Sequence, residues 1–103
     1  MKKALVIDFD PRGENVWLMS CNREMCGVYR IFLNLEDARK CMVQEVQRVG
    51  RNMLETWQDK FPMKNIRYSF NLDNEGYDCS AEIIMDGKVV DCYVGGIHHL
   101  TIE

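Results

Sequence analysis

Residues 66–94 read IRYSFNLDNEGYDCSAEIIMDGKVVDCYV. In the first seven positions Ile66, Tyr68, Phe70 and Leu72 alternate with Arg67, Ser69 and Asn71, the period-two pattern of a strand with one buried and one wet face. Asp73, Asn74, Glu75 and Gly76 form a turn cluster, and alternation resumes with Tyr77, Cys79, Ala81, Ile83 and Met85 facing inward. Asp86-Gly87 then predicts a type I′ hairpin, because both central residues of that turn need positive φ. A two-residue loop with no irregularity places Ile83 opposite Val90, Ala81 opposite Cys92, and Glu82 opposite Asp91 on the outer face. Cys79 then lies diagonal to Cys92 as a buried thiol pair.

Upstream, the period changes from 2 to 3.6. Leu35, Ala38, Met42, Val46, Val49, Met53 and Trp57 recur in steps of three and four, which gives a helix one apolar stripe. Asn34 offers a capping oxygen, Glu36 and Asp37 suit the positive end of the helix dipole, and Pro62 ends the pattern after Phe61. Glu36 and Lys40 are spaced as an i, i+4 ion pair. About 39 Å of unbroken helix is long for a small domain, so a kink or split is expected at Gly50. Arg39, Lys40, Arg48 and Arg51 make the exposed side basic around its middle, but Glu36, Asp37 and Glu45 dilute it, and a solvated face is the expectation.

Before the helix, residues 4–9 (ALVIDF) read as a strand, Asp10-Pro11-Arg12-Gly13 as a type I turn, and residues 15–21 and 27–33 as two more strands joined by residues 22–26. After the hairpin, Gly95-Gly96 permits a bulge or bend, and Leu100 and Ile102 finish a last strand. The expected fold is therefore α+β: a βββ-α-βββ order, a mostly antiparallel sheet, and one long helix packed on one face. Residues 1–103 are too few for a second core and are expected to form one domain. Trp17 and Trp57 sit in periodic apolar patterns and are expected near the core. Met19, Met25, Met42, Met53, Met63 and Met85 are expected to fill gaps in it.

Composition is that of an ordinary globular chain, with 47% hydrophobic and 28% charged residues. No apolar run approaches the roughly 20 residues that span a bilayer, and the apolar run after Lys2 and Lys3 stops at Asp8, too soon for a signal peptide. A cytoplasmic protein without membrane association is expected. Five cysteines, Cys21, Cys26, Cys41, Cys79 and Cys92, cannot all pair and read as reduced thiols. One C-x4-C and the pair His98-His99 do not make a zinc pattern, since adjacent residues on a strand point to opposite faces. No phosphate-binding loop, nucleophile elbow or dinucleotide fingerprint is present. A Cys-His nucleophile pair, Cys92 with His98 for instance, has no flanking motif to support it. No cofactor, metal site or catalytic residue is expected.

Charge is distributed unevenly. From Asp73 onward there are seven acids and one base, Lys88, whereas residues 1–72 carry twelve bases and nine acids. The net charge of −3 thus hides a dipole, and a pI of 5.4 argues against direct nucleic-acid binding. Asp73, Glu75, Asp78, Glu82 and Asp91 gather around the hairpin's outer side, with Tyr93 and Ile84 as apolar anchors. They form either a solvated sheet face or a patch that receives a partner's Arg and Lys. Neutralising Asp78, Glu82 and Asp91 together is expected to leave stability equal or slightly higher, because like charges opposite each other are unfavourable.

The segment LEDARKCMVQEV following VYRIFLN, with the late Asp-Gly hairpin and a short C-terminal strand, resembles the small accessory proteins of phages and other mobile elements. Inhibitors of bacterial defence systems, anti-CRISPR proteins among them, belong to that group. The resemblance assigns no residue a role. It implies a binder; with the charge distribution, the expectation is a non-enzymatic protein-interaction module, an inhibitor whose acidic C-terminal hairpin docks on the basic surface of a nucleic-acid-binding protein. Two alternatives stay open: a small enzyme using Cys and His or a metal, and a self-assembling structural protein whose edge strands pair across a homodimer.

Overall fold

The computed structural model describes residues 15–23 and 26–101, with backbone alone for Arg23 and residues 26–28. In chain order the elements are β1 (Asn15–Arg23), β2 (Cys26–Phe32), α1 (Leu35–Lys60), β3 (Ile66–Leu72), β4 (Asp78–Met85) and β5 (Lys88–Thr101). The strands form one antiparallel sheet in the order β2-β1-β5-β4-β3, and α1 packs on one of its faces. The α+β class and the single helix are as expected, but the order within the described residues is two strands, helix, three strands. The strand expected at 4–9, its turn, Met25 and Ile102 lie outside the described residues. The described helix is not long and apolar enough to cross a membrane.

Helix α1 begins where the sequence places it. The Asn34 carboxamide oxygen accepts from the Asp37 backbone N–H at 3.2 Å, and the last turn closes with Phe61 N–H donating to Trp57 O at 3.0 Å. Glu36, however, pairs with Arg39 one position nearer and not with Lys40. Nor does Gly50 break the helix. It faces the sheet: a β-carbon there would lie 2.6 Å from Tyr68 Cε1 and 2.7 Å from Ala81 Cβ. Gly95 does the same from the opposite side, where a β-carbon would meet Met42 Cγ at 2.7 Å and Val46 Cγ2 at 3.0 Å. Helix and sheet therefore approach closely at two glycines, one on each. Around them Met19, Cys21, Ala38, Met42, Val46, Met53, Cys79, Ala81, Ile83, Tyr93 and Ile97 make the buried cluster, with Trp17 and Trp57 packed against it. Met63 is not a gap filler; it lies beyond the helix end and is 94% exposed. The Tyr68 hydroxyl, beside Gly50, is buried with no hydrogen-bond partner among the described residues.

The Asp86-Gly87 turn has the expected geometry, with φ of 53° and 83°, and Met85 pairs with Lys88. The register beyond it is not the expected one. A β-bulge between Ile83 and Ile84 leaves Ile84 opposite Val89 but Ile83 opposite Asp91, so Val90 is the extra residue. Ala81 consequently faces Tyr93 and not Cys92, and Glu82 faces Cys92 and not Asp91. The inserted residue reverses which side chains of β5 point to the helix. Tyr93, Gly95 and Ile97 turn inward and are buried, while Cys92 and Val94 are exposed on the other face. Cys79 and Cys92 thus lie on opposite faces and form no buried pair. Burying Tyr93 and bringing Gly95 under Met42 and Val46 favours this parity over a regular hairpin. No bulge occurs at Gly95-Gly96, where β5 continues unbroken to Thr101.

Replacing Gly50 with alanine separates helix propensity from packing. Propensity alone would add about 1 kcal/mol, but overpacking against Ala81 and Tyr68 costs about 1–3 kcal/mol. Gly50→Ala is expected to lower stability by about 1 kcal/mol in urea denaturation. An increase would show that the helix stands farther from the sheet.

Candidate functional site

The bulge divides the residues expected to form a partner-binding patch. Tyr93 is 5% exposed, points to the helix and donates its hydroxyl to Glu45 Oε2 at 3.2 Å, so it is a core residue and not a surface anchor. Burial, with Cys21 and Glu45 nearby, holds its phenol well above the ordinary range. Asp91 also turns to the helix side, where its Oδ2 accepts from the Trp57 indole N–H at 3.0 Å. Both leave the outer face for the same reason: one extra residue in β5 shifts their parity.

Asp73 belongs to the turn's own architecture. Its Oδ1 accepts from the backbone N–H groups of Tyr77 at 2.8 Å and Asp78 at 3.2 Å, fixing the entry to β4. The same turn is tied to the helix by Arg39, whose guanidinium donates to Gly76 O at 3.2 Å and Glu75 O at 2.9 Å while also pairing with Glu36. Arg39 therefore sets its positive charge against the acidic turn. No local sequence signal marks it, because helix and turn are 36 residues apart. Arg48 is held likewise by Glu45 at 2.9 Å, so half of the helix's expected basic group is occupied.

Asp78 and Glu82 remain on the outer face, which the helix does not cover, and neither carboxylate has a hydrogen-bond or ion-pair partner among the described residues. Two rows cross this face. One runs Ser20–Gly96–Asp78 and the next Asn22–Val94–Ser80–Asn71, from β1 through β5 and β4 and, in the second row, on to β3. Their short side chains surround a hollow of about 490 Å³ with Gly96 in its floor. Toward β2 the same face becomes apolar. Leu18 stands between Ile31 and His98, and Tyr29 (66% exposed), Ile31 (50%), Leu100 (44%) and Val94 (41%) present large side chains to solvent. A second hollow, about 470 Å³, lies at this edge against Leu18, Tyr29 and Ile31.

Among the described residues the cysteines and histidines do not converge. Cys92 and His98 both face outward on β5, but six residues of strand separate them by roughly 20 Å, so they form no nucleophile pair. His98 and His99 take opposite faces as expected. His99 stacks on Trp17 at a centroid distance of 4.5 Å and its Nε2–H donates to Asn15 Oδ1 at 2.9 Å. Among the described residues no three His, Cys, Asp or Glu side chains are placed to hold a metal ion. Cys21, Cys41, Cys79 and Cys92 are free thiols. Burial first, then Cys79 and Glu45, pushes Cys21 up to about 12. Burial and then Asp78 and Asp73 push Cys79 up to about 11.

Compared with protein-family models, with curated proteins and with solved structures, the chain matches none.

Two predictions follow from these placements. Asp91→Ala removes the Trp57 acceptor from a half-buried site and is expected to cost about 1–2 kcal/mol, whereas Glu82→Ala stays within about 0.5 kcal/mol. Equal losses in urea denaturation would return Asp91 to the outer face. The buried thiols set the alkaline limb of stability: their folded pKa values lie above the 9.0 ordinary for a free thiol, so the unfolded chain loses these protons first. Stability is therefore expected to be undiminished by these groups below pH 9 and to fall as pH rises from 9 toward 11 and 12. Denaturation midpoints across that window, compared with a Cys21→Ala/Cys79→Ala chain that lacks both thiols, test the sign.

Proposed function

We propose that the chain is a non-enzymatic protein-interaction module that docks on a basic surface of another protein through the helix-free face of its sheet. The observation that carries this reading is the juxtaposition of two carboxylates without a partner among the described residues, Asp78 and Glu82, with the exposed apolar side chains Tyr29, Ile31, Val94 and Leu100 on one face. A fully solvated sheet face would alternate to polar residues throughout. Apolar anchors bordered by charge are the composition of a recognition surface, and the charge selects a cationic partner. The partner favoured by this chemistry is a nucleic-acid-binding protein, whose own site is a basic surface. The resemblance to phage and mobile-element accessory proteins supports the narrower form, an inhibitor of the anti-CRISPR or similar anti-defence type.

This surface differs from the one expected from sequence. Asp91 and Tyr93 do not belong to it, Asp73 is committed to the turn, and Tyr29 and Ile31 on β2 join it.

The test is affinity capture from cells that encode the chain, with the captured protein identified and its affinity measured at low and high salt. Asp78→Asn/Glu82→Gln is expected to weaken binding about tenfold at low salt and to flatten the salt dependence. Tyr29→Ala/Ile31→Ala should weaken it about tenfold or more at either salt. The retained protein should be basic and bind nucleic acid, and nucleic acid should compete. Unchanged affinity in both variants would end the reading. Concentration-dependent dimerisation that Tyr29→Ala/Ile31→Ala abolishes would make a second copy the occupant instead.

A further inference from the structure

We propose that the Gly96-floored hollow is a receptor for a guanidinium group, so that the partner's binding element is led by an arginine side chain. This deepens the docking reading above and rests on it for the source of the arginine, but the site is argued from its own geometry. Gly96 stands in the outer row between Ser20 and Asp78 and supplies no side chain. Its neighbours across three strands are spaced about 9–10 Å apart, wide enough for a planar head group to lie over the peptide of β5. A β-carbon at Gly96 would come within 3.3 Å of Asp78 Oδ1, so this carboxylate leans over the floor.

The rim supplies acceptors and two carboxylates, of which Asp73 is engaged through its Oδ1 by the Tyr77 and Asp78 N–H groups and Asp78 has no partner among the described residues. Ser20 and Ser80 bring hydroxyl oxygens, and Asn22 and Asn71 bring carboxamide oxygens. Among the described residues no Lys or Arg lines the hollow, and their ion pairs, Arg39 with Glu36, Arg48 with Glu45 and Lys64 with Asp86, leave Asp78 unmatched. Guanidinium fits better than ammonium for two reasons. It is planar and weakly hydrated, so it can stack on an exposed peptide plane, and its fork of five N–H donors can reach a carboxylate and flanking oxygens together. A compact ammonium would lose more hydration and meet fewer of these acceptors.

The probe is N-acetyl-arginine amide, titrated into the ¹⁵N-labelled chain and followed by amide chemical shifts, with the lysine and citrulline analogues as controls. Saturable shifts are expected at Ser20, Ser80, Gly95 and Gly96, with the neutral citrulline analogue at least about tenfold weaker and the lysine analogue intermediate. Asp78→Asn removes the carboxylate that leans over the floor without changing shape, leaves only the turn-bound Asp73, and should abolish the response. Gly96→Val fills the floor with a residue suited to a strand and should do the same. For both variants the remaining amide spectrum and the thermal midpoint report that the fold is intact, and Asp78→Asn alone suffices if Gly96→Val unfolds. An equal response to citrulline or to lysine, shifts that persist in Asp78→Asn, or shifts scattered over the acidic surface would overturn the assignment. The titration needs no partner. Salt-sensitive capture without these shifts would therefore sink the arginine site and leave the docking face standing, and the converse would do the opposite.

Discussion

The close approach of α1 to the sheet at Gly50 and Gly95 is the constraint on which the other features depend. A long amphipathic helix can lie over an antiparallel sheet in many rotations and shifts, but only one brings its bare position onto Tyr68 and Ala81 while Met42 and Val46 settle over the bare position of β5. That contact requires Gly95 to face inward. The strand can meet the requirement only by gaining a residue between the Asp86-Gly87 turn and Tyr93, and the bulge at Val90 supplies it. One packing contact thus decides the facing of every residue in β5 beyond the bulge.

The electrostatic pattern follows from the same geometry. A carboxylate on the helix side must find donors, because desolvating it without them is costly. Asp91 finds the Trp57 indole, and Glu45 finds Tyr93 and Arg48. The turn between β3 and β4 is held by Asp73 from within and by Arg39 from the helix. The acids left without a partner among the described residues on the face away from α1 are a smaller set, Asp78 and Glu82. These two carry more weight than the overall acidity of the C-terminal third, much of which is committed to holding the fold.

The outer face combines this charge with apolar residues of a different part of the chain. Tyr29 and Ile31 come from β2, the carboxylates from β4, and β1 and β5 bring them together by pairing across more than seventy residues of sequence. Among the described residues, Cys92 and His98 stand too far apart on this face to cooperate, and burial raises the pKa of the buried thiols Cys21 and Cys79 well above that of an ordinary thiol.

Local patterns determined a great deal by themselves. The Asn34 cap, the stop at Pro62, the alternation of Ile66–Leu72 and the Asp86-Gly87 turn are each settled within a few residues, so periodicity and backbone chemistry suffice to read them, and with them the α+β class. Facing and partnership were decided only by tertiary structure. The register of β5 could not be read from its turn, because Val89, Val90 and Asp91 carry no glycine or other mark of a bulge, and the inserted residue responds to the helix above it. For the same reason Gly50 read as a weak point when it is a contact, and Asp91 and Tyr93 read as surface when they are covered. Side-chain burial depends on what another element brings within a few ångströms, and that is a property of the assembled sheet and helix, not of the strand alone.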